Sequence, residues 1–199
     1  MGLRETKMER TRRFIADTAF DLFVAHGYDG TTIEQIAAAA EVGTRTLYRY
    51  YATKEALVVS FVENGLNAAM EAFEAQSDET PLSEALYAVV DSVERTITEN
   101  PARLLALYEI FGRTTGLRAG LADLCWSWRR RLVQEILRRP DVEDDELFAE
   151  LTAASTMNVI EVVVQKWTAS GGAVEISDIT RGVLELLHTR TIPVPALAG

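Results

Sequence analysis

Apolar residues return at intervals of three and four along most of this 199-residue chain, and no segment sustains the period-two alternation that a half-buried strand requires. That pattern restricts the fold to the all-α class. Ile15, Ala19, Leu22 and Phe23 fall at i, i+4, i+7 and i+8, which predicts a first helix over roughly residues 5 to 26, ended by His26-Gly27. Thr31-Thr32 caps the short run "IEQIAAAA": Glu34 or Gln35 can complete a capping box, and Ile33, Ile36, Ala37 and Ala40 give an inward face. "EVG" makes a turn into a second short helix. Ala52-Thr53 then caps a long helix reaching about Gln76, with Asn64-Gly65 as a weak point in its middle. Pro81 and Pro101 open two more helices, the latter broken near Gly112 to Gly116, and another runs from Leu117 to Arg139-Pro140. "DVEDDE" places carboxylates at the start of a helix over about 143 to 170, where they complement the macrodipole, and the last helix covers about 176 to 189. The total is about nine helices, with no internal repeat.

Hydrophobic residues make up 48% of the chain and charged ones 25%, a balance that supports a buried core. Cys125 is the single cysteine and the N-terminus is charged, so a reducing cytoplasm is the expected compartment. The most apolar stretches, "ALVVSFV" and "NVIEVVV", are too short or interrupted to span a bilayer, and no membrane association is expected. Net charge is -10, yet residues 1 to 60 hold eight basic and eight acidic residues. The whole excess of negative charge therefore lies behind a neutral front.

Within that front, "VGTRTLYRYYATKEAL" gathers Thr44, Arg45, Thr46, Tyr48, Arg49, Tyr50, Tyr51 and Lys54 with hardly a carboxylate among them. At ~100° per residue, Leu47 and Tyr51 project to one side, while Arg45, Tyr48 and Arg49 cluster on the other, flanked by Thr46 and Tyr50. Two short helices joined by a tight turn containing Gly43 make a helix-turn-helix, whose second helix enters the DNA major groove. Arginine donates bidentately to guanine O6 and N7, and threonine and tyrosine hydroxyls suit phosphates.

Toward the C-terminus, Ala153, Met157, Ile160, Val164 and Trp167 form one apolar stripe, with Phe148, Leu151, Ser155, Val159 and Val162 almost opposite. A helix apolar on two faces is buried on both, and a second subunit supplies the further layer through the last two helices. "SWRRR", with Arg129, Arg130 and Arg131, reads as a solvated face answering nearby glutamates, or as a site for an anionic ligand group. Trp126 lies off the stripe of Leu121, Leu124, Cys125, Trp128 and Leu132; it stacks under an arginine, lines a pocket, or fills a second packing face. His26 and His188 are solitary, and Cys125 reads as a small core residue. No metal, cofactor or catalytic motif is expected.

Residues 13 to 57 resemble the N-terminal domain of the TetR family of transcriptional repressors, through "LF..HGYDGTT", "I..IA..A.V", "TLYRYY" and "KEAL". The rest of the chain carries no motif and agrees only in length and helicity. The resemblance implies a homodimer on a double-stranded DNA operator and a variable C-terminal domain that binds a small inducer. By position, Thr32 caps the second helix toward a phosphate, Thr44, Arg45 and Thr46 lie where base contacts arise, Tyr48 and Tyr50 meet the backbone, and Lys54 meets a phosphate. The chain departs from the family at Gly43, where a capping Ser is usual, and at Tyr50, Tyr51 and Ala52, where His, Phe and Pro are.

The resulting expectation is a three-helix DNA-binding domain over 1–55 and a helical ligand-binding and dimerisation domain over 56–199. Residues expected to line a pocket for a bulky apolar effector are Met70, Phe73, Tyr108, Phe111 and Trp126, with Asn158 or Arg113 as a polar anchor. A ligand-independent regulator or activator, or an apolar-ligand-binding protein that no longer reads DNA, are the competing readings.

Overall fold

A computed structural model describes residues 3–142 and 145–189. Nine helices and no strand occur among them: α1 (Leu3–His26), α2 (Ile33–Ala39), α3 (Thr44–Tyr50), α4 (Lys54–Glu74), α5 (Leu82–Glu99), α6 (Pro101–Arg113), α7 (Thr115–Leu137), α8 (Glu146–Ala169) and α9 (Ile176–Thr189). The chain divides into two compact units, one of Met1–Ala68 with Asn100–Trp128, the other of Ala69–Glu99 with Arg129–Gly199. Helices α4 and α7 therefore contribute to both, and α4 runs unbroken through Asn64-Gly65.

In the first unit, α1 buries Ile15, Ala16, Ala19, Phe20 and Phe23. The sequence stripe included Leu22, which is only half-buried, and passed over Phe20, whose ring packs 5.5 Å from Phe23 and 4.7 Å from Phe61. Gly27, at φ 75, closes α1 with its N–H on the Phe23 carbonyl at 2.9 Å, a left-handed conformation that glycine adopts without a Cβ penalty. Arg103 of α6 reaches α1, donating at 2.7 Å to both Asp17 and Asp21. The Trp128 indole N–H donates to the Leu66 carbonyl at 2.7 Å, tying α7 to α4 within this unit.

In the second unit, α8 buries Ala149, Ala153, Thr156, Val159, Ile160, Val163 and Trp167, and α5 and α9 pack beside it. Phe148, Leu151 and Val162 are exposed on its other side. Two apolar faces are present as the sequence indicates, but Val159 belongs to the buried one. A helix so apolar around its circumference carries little phase information. The same property gives the 24-residue α8 an 18-residue window with a mean hydropathy of 1.5, long and apolar enough to cross a membrane by length and composition only, although the sequence stretches taken singly do not suggest it. It begins at Glu146 with Asp145 as N-cap accepting from the Phe148 N–H at 3.0 Å, three residues later than the sequence indicates, and Glu143 lies outside the described residues.

Asp141 of the same acidic run serves a different helix. Its carboxylate accepts from the Leu82 N–H at 3.3 Å, at the start of α5, and from Arg139 Nε at 3.0 Å. The Arg139 hydrogen bond is the main reason that this carboxyl is held below its usual range. Arg139, only 6% exposed, also donates to the Thr80 carbonyl, and its guanidinium lies 5.9 Å from the Phe73 ring centre. Arg131 of the basic run pairs with Glu74 at 2.6 Å, a face answering a glutamate.

Candidate nucleic-acid interface

The interface is built on α2 and α3. Thr32 is the N-cap of α2: its hydroxyl accepts from the Gln35 N–H at 3.2 Å, and the Gln35 side chain accepts from the Thr32 N–H at 2.8 Å. Of the two residues the sequence allows for this capping box, Gln35 forms it. The turn after α2 closes through the Val42 N–H on the Ala37 carbonyl at 2.9 Å. Glu41, not Gly43, takes the left-handed conformation there, at φ 53, while Gly43 is extended at φ -69 and caps α3 without a side chain. The tight turn thus does not use the glycine's freedom.

Helix α3 is anchored through Leu47, fully buried, and Tyr51, 2% exposed, just beyond its end. The Tyr51 hydroxyl donates to the Arg12 carbonyl at 3.1 Å, and the Arg12 guanidinium sits 5.6 Å from the Tyr51 ring centre while pairing with Glu63 at 3.4 Å. Sequence reasoning placed Tyr51 inward but missed Arg12, because α1 meets Tyr51 only in three dimensions. Opposite this anchor, Arg45, Tyr48 and Arg49 are exposed, and Thr44, Thr46 and Tyr50 are half-buried at the edges. Arg49 lies 5.4 Å from the Tyr50 ring centre, a cation–π pair on the outer side. One short helix therefore presents two guanidinium groups, two phenols and two threonines.

Lys54, the first residue of α4, turns inward. Its ammonium donates to the carbonyls of Tyr28 and Thr31 at 2.9 and 3.1 Å and lies 3.9 Å from the Tyr28 ring centre. Thr31, 1% exposed, donates in turn to the Gly27 carbonyl at 2.8 Å. Burial, followed by the Glu55 carboxylate, pushes the Tyr28 phenol above its ordinary value and keeps it neutral. Lys54 thus fastens the α1–α2 connection to the start of α4. No spacing rule signals this, since its partners are backbone carbonyls.

The residues expected around an effector are distributed as follows. Met70 and Phe73 are buried on α4 in the second unit. Phe111 is buried on α6 in the first unit, while Tyr108, Arg113 and Trp126 of that unit are exposed. Asn158 is exposed on α8, away from its buried face. A cavity of about 350 Å³ between Tyr87 of α5 and the Ser177, Thr180, Leu184 and His188 side of α9 contains none of them. Cys125 is half-buried.

An all-helical chain presenting a capped, basic recognition helix across a tight turn is a helix-turn-helix DNA-binding protein. Residues 15–61 match the family profile "Bacterial regulatory proteins, tetR family". The HTH-type transcriptional regulator TcmR of Streptomyces glaucescens is 35% identical over 175 residues, covering 83% of this chain and 76% of that protein. The HTH-type transcriptional repressor KstR of Mycolicibacterium smegmatis is 28% identical over 124 residues, 60% of this chain and 58% of that protein. The fold is shared with the transcriptional regulator FadR from Bacillus subtilis, solved in complex with stearoyl-CoA, at a TM-score of 0.65 and 20% identity over 89% of this chain and 97% of that one. The chain belongs to the tetR family of bacterial regulatory proteins and is a DNA-binding transcriptional regulator rather than an enzyme.

Proposed function

We propose that the chain is a cytoplasmic, homodimeric repressor that binds a near-palindromic operator and is released by a bulky, largely apolar effector. The observation that carries this reading is the outward face of α3, where Arg45, Tyr48 and Arg49 stand exposed on a helix fixed from behind by Leu47 and Tyr51. Arg45 reads a guanine edge with Thr44 and Thr46 beside it, Tyr48 and Tyr50 hold the phosphate backbone, and the Thr32 end of α2 faces a phosphate. Lys54 has one N–H left beyond its two carbonyl bonds, which suits it to position the recognition unit and to meet a phosphate at once.

In this reading residues 1–55 bind DNA and 56–199 bind the effector and the second subunit. The exposed apolar face of α8, with Leu186 and Leu187 of α9, forms the dimer contact. Met70 and Phe73, buried on α4, supply apolar walls for the effector. The stearoyl-CoA complex of the FadR relative supports an acyl chain or acyl thioester as the effector class. A repressor name among the relatives supports the sign of regulation. Met70 lies 16 residues along α4 from Lys54, roughly 24 Å at 1.5 Å per residue, so a small tilt at an effector becomes a displacement at DNA.

Selection of bound sequences from a random duplex pool tests the reading. Enrichment of a near-palindrome whose half-sites lie about one helical turn apart is expected; retention without enrichment contradicts it.

A further inference from the structure

The exposed residues Phe148, Leu151, Ser155, Asn158, Val162, Gln165 and Ala169 of α8 are separated by three, four, three, four, three and four positions. That is the heptad spacing of a knobs-into-holes seam, and it lies bare on the side away from the buried stripe. None of the seven is charged, on a chain of net charge -10. The seam spans roughly 32 Å at 1.5 Å per residue, and with α9 beside it the footprint is on the order of 600 Å², near the ~800 Å² per partner of a stable interface.

Asn158 is the one carboxamide in the central part of this seam, and α8, running from Glu146 to Ala169, has its midpoint there. Two copies of a helix crossing about a two-fold axis meet residue against like residue only at the crossing layer. A carboxamide closed into the crossing layer, with Ser155 and Val162 beside it on its own helix, needs both a donor and an acceptor across the layer; another Asn158 supplies both, whereas an apolar side chain there supplies neither. Ser155, one turn earlier, is small enough to let the backbones approach.

We propose that Asn158 selects the partner of this seam, pairing with Asn158 of a second copy and disfavouring chains that carry an apolar residue in that layer. This rests on the homodimer proposed above and assigns Asn158 to partner choice rather than to the effector. The consequence is fidelity: related regulators in one cell exchange subunits poorly with this one.

The test mixes wild-type chain with a longer-tagged Asn158→Leu chain, unfolds both together, refolds them, and counts dimers by native mass spectrometry. The expected heterodimer share is under about one-fifth, against one-half for free mixing, with both homodimers present; wild type mixed with Ser155→Ala should give the statistical half. Statistical mixing with Asn158→Leu overturns the assignment while leaving the homodimer standing. Monomers of wild type overturn both. Independently, in a Cys125→Ala background, Asn158→Cys should form an intersubunit disulfide under mild oxidant. A chain that crosslinks through Leu151→Cys but not Asn158→Cys contradicts the self-apposed layer.

Discussion

The Lys54 ammonium lies 3.9 Å from the centre of the Tyr28 ring and donates to the Tyr28 carbonyl at 2.9 Å, so one side chain holds both the ring and the backbone of a residue in the α1–α2 connection. Lys54→Met should therefore lower global stability, by about 1–3 kcal/mol, as well as DNA affinity. Chemical denaturation of variant and parent measures the first, and unchanged stability alongside weakened DNA binding would reduce Lys54 to a phosphate contact.

Arg139 is the most buried cation in the second unit among the described residues. Replacing it by Met leaves the Thr80 carbonyl and Asp141 without their shared partner, and a loss of about 2–4 kcal/mol in unfolding free energy is expected. Asp141 adds a pH signature. Its folded-state pKa is depressed, so its contribution is present above the unfolded value and is lost as pH falls through the folded one. The stability gap between parent and Asp141→Asn should shrink as pH drops below about 4, and a gap that widens on acidification would contradict the pairing.

A charge on the exposed side of α8 should separate the subunits. Leu151→Glu is expected to sediment as a folded monomer and to lose operator binding, since one half-site alone gains too little. A dimer of ordinary stability with this substitution would place the interface elsewhere.

Trp126, Trp128 and Trp167 are the only tryptophans, and none lies on α1, α2 or α3. A long-chain acyl thioester should change their emission and release operator DNA over one concentration range, because linkage requires a single coupling energy. Saturated emission with operator affinity unchanged would separate the pocket from regulation.

Much of the fold was legible because helical periodicity carries both existence and phase: Ile15, Ala19 and Phe23, and later Leu47 and Tyr51, were placed inward by spacing alone. Capping chemistry was equally readable at Thr32, which forms the expected capping box with Gln35. Phase failed where a helix is apolar nearly all round, which is why Val159 of α8 fell on the wrong face. The inward Lys54 and the buried Arg139 were illegible for a different reason. Both satisfy backbone carbonyls that only the folded chain brings near, and a charged residue read along a sequence defaults to the surface. Of the candidate interface, the outward set on α3 was visible in sequence, but its bracing by Arg12 and Tyr28 was not.

Operator binding by Arg45→Ala, compared on the selected sequence and on random duplex across a salt series, tests the central claim most directly. For the parent dimer, about six to eight phosphate contacts give a log–log salt slope of roughly -5 to -7. Arg45→Ala should lose about 1–3 kcal/mol on the operator at one base pair per half-site, with little loss on random duplex. Equal losses on both would remove α3 from base reading and contradict the account.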